Sequence, residues 1–285
     1  MYILVNGEYK KRDEVAIDLE DRGHQFGDGV YEVIRVYDGA FFAMKEHMER
    51  FIRSAEEIKI DLPYTIGELT DQLEELLRLN KTEDGGIYMQ VTRGAAARKH
   101  LFPGKGTVPE LTAYPIPCSK PAKEQEVGIS LSLLEDVRWL RCDIKSLNLL
   151  GNVLAKQEAH DRGDYEALLH RSGMITEGSS SNFYGVKNGS VFTHPANNLI
   201  LNGVTRMKVE ELCRQNGIEF LEERLSTEGL VSLDEAFITS TTSEVIPVIK
   251  VDEGKIGEGI PGPVTRKLQK LFDELIAKET KVVEK

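Results

Sequence analysis

A lysine stands in a run of mixed character, Arg138-Trp139-Leu140-Arg141-Cys142-Asp143-Ile144-Lys145-Ser146-Leu147-Asn148. Apolar residues follow at 149, 150, 153 and 154 with helical spacing, which predicts a helix that starts shortly after Lys145 and buries one face. A lysine held between that helix and a buried strand expected over 127–134 is partly desolvated, and desolvation favours the neutral amine. A neutral amine is a nucleophile, suited to Schiff-base chemistry with an aldehyde cofactor. Taken alone, Lys145 reads better as a solvated surface group, as most lysines are. Two other stretches carry binding chemistry. Leu201-Asn202-Gly203-Val204-Thr205-Arg206 leads into an expected helix, where free backbone N–H groups and a favourable dipole at Val204 and Thr205 make a natural phosphate site. In Thr92-Arg93-Gly94-Ala95-Ala96-Ala97-Arg98-Lys99-His100, extended backbone would turn Arg98 and His100 to one side and Lys99 to the other. An arginine with a neighbouring donor is the natural trap for an α-carboxylate.

These groups need a scaffold, and the hydrophobic pattern supplies one. Asn6-Gly7 and Asp38-Gly39 separate short apolar runs as hairpin turns do, framing strands near 2–5, 30–37 and 40–44. Residues 45–58 and 65–80 read as amphipathic helices, with Met48, Phe51, Ile52 and Ala55 on one apolar face and Leu69, Leu73, Leu76 and Leu77 on the other. Strands are expected over 87–92 and 111–116, giving a small α+β domain over 1–117. Residues 118–125 are polar and contain proline, as an interdomain connection does. A larger domain over 126–285 is expected to hold strands at 127–134, 166–171, 182–187, 190–193 and 236–240, and helices at 148–161, 205–216 and 264–278. The charged end, 278–285, is expected to fray.

Composition excludes several classes. The 285 residues carry 47 acidic and 36 basic side chains for a net charge of −11, which disfavours a nucleic-acid or anionic-membrane partner. No apolar run approaches spanning length and the amino terminus has no signal-peptide pattern, so a cytoplasmic protein is expected. Cys118, Cys142 and Cys213 are odd in number and far apart, as reduced thiols are. Six histidines without paired ligand spacing predict no metal site. Gly104-Lys105-Gly106-Thr107 lacks the first glycine of a phosphate loop and reads as a surface turn.

The lysine run, together with Asp21-Arg22-Gly23-His24-Gln25-Phe26-Gly27-Asp28-Gly29-Val30-Tyr31-Glu32, Thr176-Glu177-Gly178-Ser179-Ser180-Ser181-Asn182 and Ser240-Thr241-Thr242-Ser243-Glu244, resembles the branched-chain and D-amino-acid aminotransferases, the fold type IV enzymes of pyridoxal 5'-phosphate (PLP). The match runs in order along nearly the whole chain and favours the D-amino-acid branch. It implies a two-domain α+β fold in which Lys145 holds PLP as a Schiff base and later serves as general base. Glu177 matches the glutamate that keeps the ring nitrogen protonated, Arg50 the phosphate-binding arginine, and Thr241 a further phosphate contact. Tyr31 matches the hydroxyl that completes an Arg98/His100 carboxylate trap. The implied reaction is transamination between a D-amino acid, of the D-alanine or D-glutamate type, and 2-oxoglutarate or pyruvate. The resemblance also implies a homodimer in which the Arg98–His100 loop reaches the partner's active site. Ala95–Ala97 and Gly104-Lys105-Gly106 depart from the pattern, which bears on side-chain preference. An aminodeoxychorismate-type lyase would share Lys145, Glu177 and the phosphate contacts without the trap. An L-branched-chain aminotransferase would have a different loop, and an inactive binding protein would leave all these residues idle.

Overall fold

The computed structural model describes residues 1–104 and 106–280. Lys105, within the expected surface turn, and residues 281–285 of the expected frayed end lie outside them. The described chain forms two compact units, one made of Met1–Ser119 with Ile144–Asn148 and the last turn of the carboxy-terminal helix from Lys278, the other of Lys120–Asp143 and Leu149–Ala277.

The first unit is a six-stranded sheet ordered Glu8–Lys11, Tyr2–Val5, Glu110–Ile116, Gly85–Thr92, Gly29–Tyr37 and Ala40–Phe41, antiparallel throughout. Alternation decides its two faces. Val30, Ile34 and Val36 point into the core with Ile87, Met89 and Val91, beneath Met48, Phe51 and Ala55 of the Met44–Glu57 helix and Leu69, Leu73 and Leu76 of the Ile66–Asn80 helix. The second helix begins at a capping box: Thr65 Oγ1 accepts from the Glu68 N–H at 3.2 Å, and Glu68 Oε2 accepts from the Thr65 N–H at 2.8 Å. Tyr31, Tyr88 and Tyr114 stack across the opposite face, with ring centroids 5.7 and 5.2 Å apart.

The second unit is a nine-stranded mixed sheet. Its order is Phe220–Glu222, Ser190–Thr193, Asn182–Lys187, Glu235–Ser240, Glu244–Val251, Ile129–Glu135, Glu166–Arg171 and Met174–Gly178, with Gly254–Lys255 paired beside Glu244–Val251. Parallel neighbours need a crossover. The Leu150–Asp161 helix joins Ile129–Glu135 to Glu166–Arg171, and the Val204–Gln215 helix joins Ser190–Thr193 to Phe220–Glu222. No helix among the described residues is long and apolar enough to cross a membrane.

The pattern missed some elements and misjudged one face. Residues 118–125, expected as a bare connection, contain the start of a short helix, Ala122–Val127. Pro247 hides the Glu244–Val251 strand from a propensity reading, yet it sits where only one neighbour pairs, since bonding to Ile129–Glu135 begins at Val248. The helix after Lys145 forms at Leu150–Asp161, but its apolar face is not buried: Leu150, Val153 and Leu154 are 72, 58 and 59 % exposed. It packs instead through Ala155 and Ala159 on Leu134, Ala167 and Leu169. Small residues let the helix lie close on the sheet and leave the larger ones outside.

Phe51, with no exposed surface, joins helix to sheet in the first core. Phe51→Ala is expected to destabilise the protein by about 3–5 kcal/mol, read as a lowered urea midpoint; an unchanged midpoint would contradict this packing.

Candidate active site

Lys145 belongs to a five-residue strip laid against the first unit's sheet. The Tyr31 N–H donates to the Lys145 carbonyl at 2.9 Å and the Leu147 N–H to the Gly29 carbonyl at 3.0 Å, an antiparallel bridge centred on Val30 and Ser146. Gly29 permits this approach, because a Cβ there would collide with Val91 and Leu147. Ile144 is buried in the core and the Lys145 N–H reaches Ser54 Oγ at 3.3 Å. The backbone is thus pinned on both sides of the lysine. Its Nζ stands 4.2 Å from the centroid of the Tyr31 ring, a cation–π distance. Within the first unit, the ring beside the half-buried Lys145 amine is therefore that of Tyr31.

Arg50 lies on the buried side of the Met44–Glu57 helix and is bidentate with Glu32, Nε to Oε1 at 2.6 Å and Nη2 to Oε2 at 2.9 Å. His47 Nδ1 lies 2.8 Å from the same Oε2. Glu32 is fully buried. Burial alone would raise its carboxyl, but Arg50 and His47 outweigh that and hold it well below the usual carboxylate range. Beside an ionised Glu32 the Nδ1 must carry the hydrogen, and burial pushes His47 below the ordinary imidazole value against the pull of Glu32. A bidentate carboxylate fixes the plane of the Arg50 guanidinium. Sequence reading gave Glu32 and His47 no role, although a signal existed. Glu32 shares the inward parity of Val30 and Ile34, and an inward carboxylate demands a cation.

In the second unit Glu177 ends a buried strand, Met174–Gly178, and is not an exposed turn acid. Its Oε1 accepts from Arg138 Nη1 at 2.7 Å; its Oε2 accepts from Asn182 Nδ2 and the Leu201 N–H, each at 3.0 Å. Arg138 is itself clamped by Asp136, Nε to Oδ1 and Nη2 to Oδ2 both at 2.9 Å, and Thr176 donates to Asp136 at 2.9 Å. Burial raises Glu177 to about 7, against the lowering effect of Arg138. A carboxylate so placed gains from one more positive partner, and a carboxylate offers about four lone-pair sites, of which three are used here.

Asn182 also donates to the Leu201 carbonyl at 2.8 Å, and its Oδ1 occupies the space that a Cβ at residue 203 would need. Gly203 then opens the Val204–Gln215 helix, which has no side-chain cap among the described residues. The N–H groups of Val204 and Thr205 have no acceptor within the helix. Thr241 is half-buried in the turn between Glu235–Ser240 and Glu244–Val251. Ser181 Oγ is buried with no hydrogen-bond partner among the described residues. A buried carboxylate with room for a further positive partner, uncapped amides at a glycine-led helix start and a hydroxyl unsatisfied among the described residues make a donor and acceptor set that fits PLP.

Arg98 and His100 lie in the exposed loop after Gly85–Thr92. Both meet the ring of Phe26, Arg98 at 4.8 Å and His100 edge-on at 5.7 Å. Among the described residues, neither touches Tyr31 by hydrogen bond or ring contact; Tyr31 meets Tyr88 and Lys145. Cys142 is buried with its thiol pushed up to about 11 by burial and accordingly unreactive. No group of metal-binding side chains occurs among the described residues.

The profile of the amino-transferase class IV family matches residues 29–251. The chain belongs to the amino-transferase class IV family. Within it, a D-alanine aminotransferase of Bacillus licheniformis is 52% identical over 280 residues, covering 98% of this chain and 99% of that protein. Another, of Staphylococcus haemolyticus, is 49% identical over 274 residues, 96% and 97% of the two chains. Among solved structures, the Escherichia coli branched-chain amino acid aminotransferase superposes with a TM-score of 0.93 at 29% identity, over 99% of this chain and 97% of that one. The T.th. branched-chain amino acid aminotransferase with pyridoxamine 5'-phosphate gives 0.91 at 28%, over 98% and 94%. The fold type IV architecture expected from sequence is therefore the one this class IV chain has.

Glu177 supplies a pH test on the cofactor-free protein. A carboxyl raised from 4.5 to about 7 in the folded chain binds its proton more tightly folded than unfolded, so its contribution to stability is full below pH ~4.5 and is lost as pH rises through ~7. Glu177→Gln should therefore gain stability relative to the parent between pH 5 and pH 8, measured by urea unfolding. An equal difference at both pH values would refute the raised carboxyl.

Proposed function

We propose that this chain catalyses PLP-dependent transamination between a D-amino acid of the D-alanine or D-glutamate type and a 2-oxo acid such as 2-oxoglutarate or pyruvate. One observation carries the choice of hand. Solved branched-chain enzymes share the fold at 27 to 29% identity, whereas D-alanine aminotransferases share 47 to 52% over at least 96% of the chain. The Arg98-x-His100 pair adds a carboxylate-binding group on the loop where that choice would be made.

When bound, PLP supplies an electron sink for the pair left at the substrate's Cα. The chain supplies the rest. Lys145 would hold the cofactor through Nζ and, when free, take and return the Cα proton there. Its strip is bonded to Gly29–Tyr31, so Nζ serves one face of the substrate. Glu177, fixed by Arg138, Asn182 and Leu201, would pair with the ring nitrogen and keep it protonated. The amides of Val204 and Thr205, with Arg50 and Thr241, would hold the phosphate. Arg98, His100 and the Tyr31 hydroxyl would hold the substrate carboxylate and so decide which hydrogen faces Lys145.

The same reading includes a homodimer. Among the described residues Arg98 and His100 do not meet Tyr31, and their loop continues into Leu101 and Phe102, 80 and 57 % exposed. The helix after Lys145 likewise presents Leu150, Val153 and Leu154 outward. These exposed apolar side chains support the reading of an interface, and a second copy of the chain is the occupant that would also complete the trap. Three free cysteines suit a reducing compartment, and we read the protein as cytoplasmic.

PLP-loaded protein mixed with 2-oxoglutarate should yield pyruvate from D-alanine and none from L-alanine, and Lys145→Ala should lower turnover by about 10²–10⁴-fold or more. Pyruvate from L-alanine would overturn the assigned hand, and an active Lys145→Ala the whole mechanism. In sedimentation equilibrium the protein should show twice the 32.0 kDa mass of one chain, and Leu154→Glu should shift it toward one. A parent that sediments as single chains would remove the dimer.

A further inference from the structure

The Arg98–His100 loop is exposed along its length, so something must hold it in shape before a substrate arrives. Long side chains on unsupported backbone sample many rotamers, and a trap that must be ordered at each encounter binds weakly. Two side chains from the short Arg22–Phe26 helix bear on it. Arg22 is buried and donates through Nη1 to the Lys99 carbonyl at 2.7 Å. The other side of its fork, Nε, meets Asp28 Oδ2 at 2.7 Å, and Asp28 is held in turn by Arg93 through Nε and Nη2, both at 2.9 Å. The backbone pairs here too: the Arg22 N–H donates to the Gly94 carbonyl at 3.0 Å and the Ala96 N–H to the Glu20 carbonyl at 3.1 Å. Phe26 presents one ring to three groups, the Arg22 and Arg98 guanidinium groups at 4.8 Å each and the His100 ring at 5.7 Å.

We propose that Arg22 and Phe26 are positioning residues for substrate-carboxylate recognition: Arg22 fixes the backbone at Lys99, and Phe26 fixes the side chains of Arg98 and His100 that flank it. This rests on the reading of Arg98 and His100 as the carboxylate trap. The division of labour follows from the chemistry. A hydrogen bond to the Lys99 carbonyl holds that peptide plane and so sets the side to which residues 98 and 100 project. The Phe26 ring attracts the Arg98 guanidinium by its quadrupole while leaving the planar N–H groups of Arg98 available to oxygen. Phe26 offers no hydrogen bond of its own, so it orients the trap without competing for the carboxylate.

The test is a double-mutant cycle on the PLP-loaded enzyme, comparing Phe26→Leu in the parent and in the Arg98→Ala/His100→Ala background. The readouts are KM and kcat for D-alanine and, independently of turnover, the calorimetric Kd of propionate, a carboxylate with no amine to react. Phe26→Leu should raise KM and the propionate Kd about 3- to 30-fold with kcat within about twofold, and should change neither by more than about twofold in the background. Phe26→Tyr, which keeps the ring, should retain the parent values. Equal effects in both backgrounds would overturn the proposal, because Phe26 would then act independently of the trap. So would an unaffected Phe26→Leu beside an Arg98→Ala/His100→Ala variant whose KM rises, an outcome that leaves the trap intact. No effect from Arg98→Ala/His100→Ala itself would refute the trap reading, and this proposal with it. Arg22→Lys, which keeps the charge but loses the fork, carries the same cycle if Phe26→Leu fails to fold.

Discussion

The structure depends on a strip of five residues that is an edge element of a sheet far from it in sequence. Ile144–Asn148 leaves the second unit after Asp143, bonds to Gly29–Tyr31 in the first, and returns at Leu149. Backbone hydrogen bonding fixes position in a way that a flexible lysine stem cannot. The amine is consequently located by main-chain geometry at residues 144–148, and only its last atoms are free to move. Tyr31 contributes twice, through its N–H to the strip and through its ring to Nζ.

Charge is organised in the same spirit. Three acids meet arginines that are held by more than one bond: Glu32 with Arg50, Glu177 with Arg138, and the half-buried Asp28 with Arg22 and Arg93. Removing a charge from water is costly, and a pair recovers that cost only with good geometry and further hydrogen bonds. Glu32 has both, which holds its carboxyl low. Glu177 is as deeply buried but takes a single bond from an arginine that Asp136 also holds, and burial leaves its carboxyl raised to about 7. The two glutamates therefore differ in what they can still accept. One is internally satisfied, and the other keeps room for a cation from outside the chain.

Much of this was legible in the sequence, for reasons that differ by residue. Helices with a single apolar stripe, such as Met44–Glu57 and Ile66–Asn80, declare themselves by period. Lys145, Glu177 and Arg98 are set apart by the runs around them. The partners that orient these residues were not legible. Asp136 and Arg22 lie on other segments of the chain, and no local pattern says which distant charge will answer them. Glu32 also went unread, although an acid at an inward position of an apolar strand advertises a hidden partner. The Leu150–Asp161 helix misled in the opposite sense. Its period is real, but a period reports only that a face will be covered and is silent on whether the cover belongs to the same chain.

Asn182 binds the Glu177 carboxylate and the Leu201 carbonyl with one amide nitrogen, and its oxygen fills the space left by Gly203. The strand end that carries the acid and the helix start that carries the free amides are thus bolted together by a single side chain. A ligand that touches both presents a covalent length that does not vary, and this joint gives the protein a matching gauge. Asn182 thereby ties the spacing of the two ends to the reach of one amide side chain.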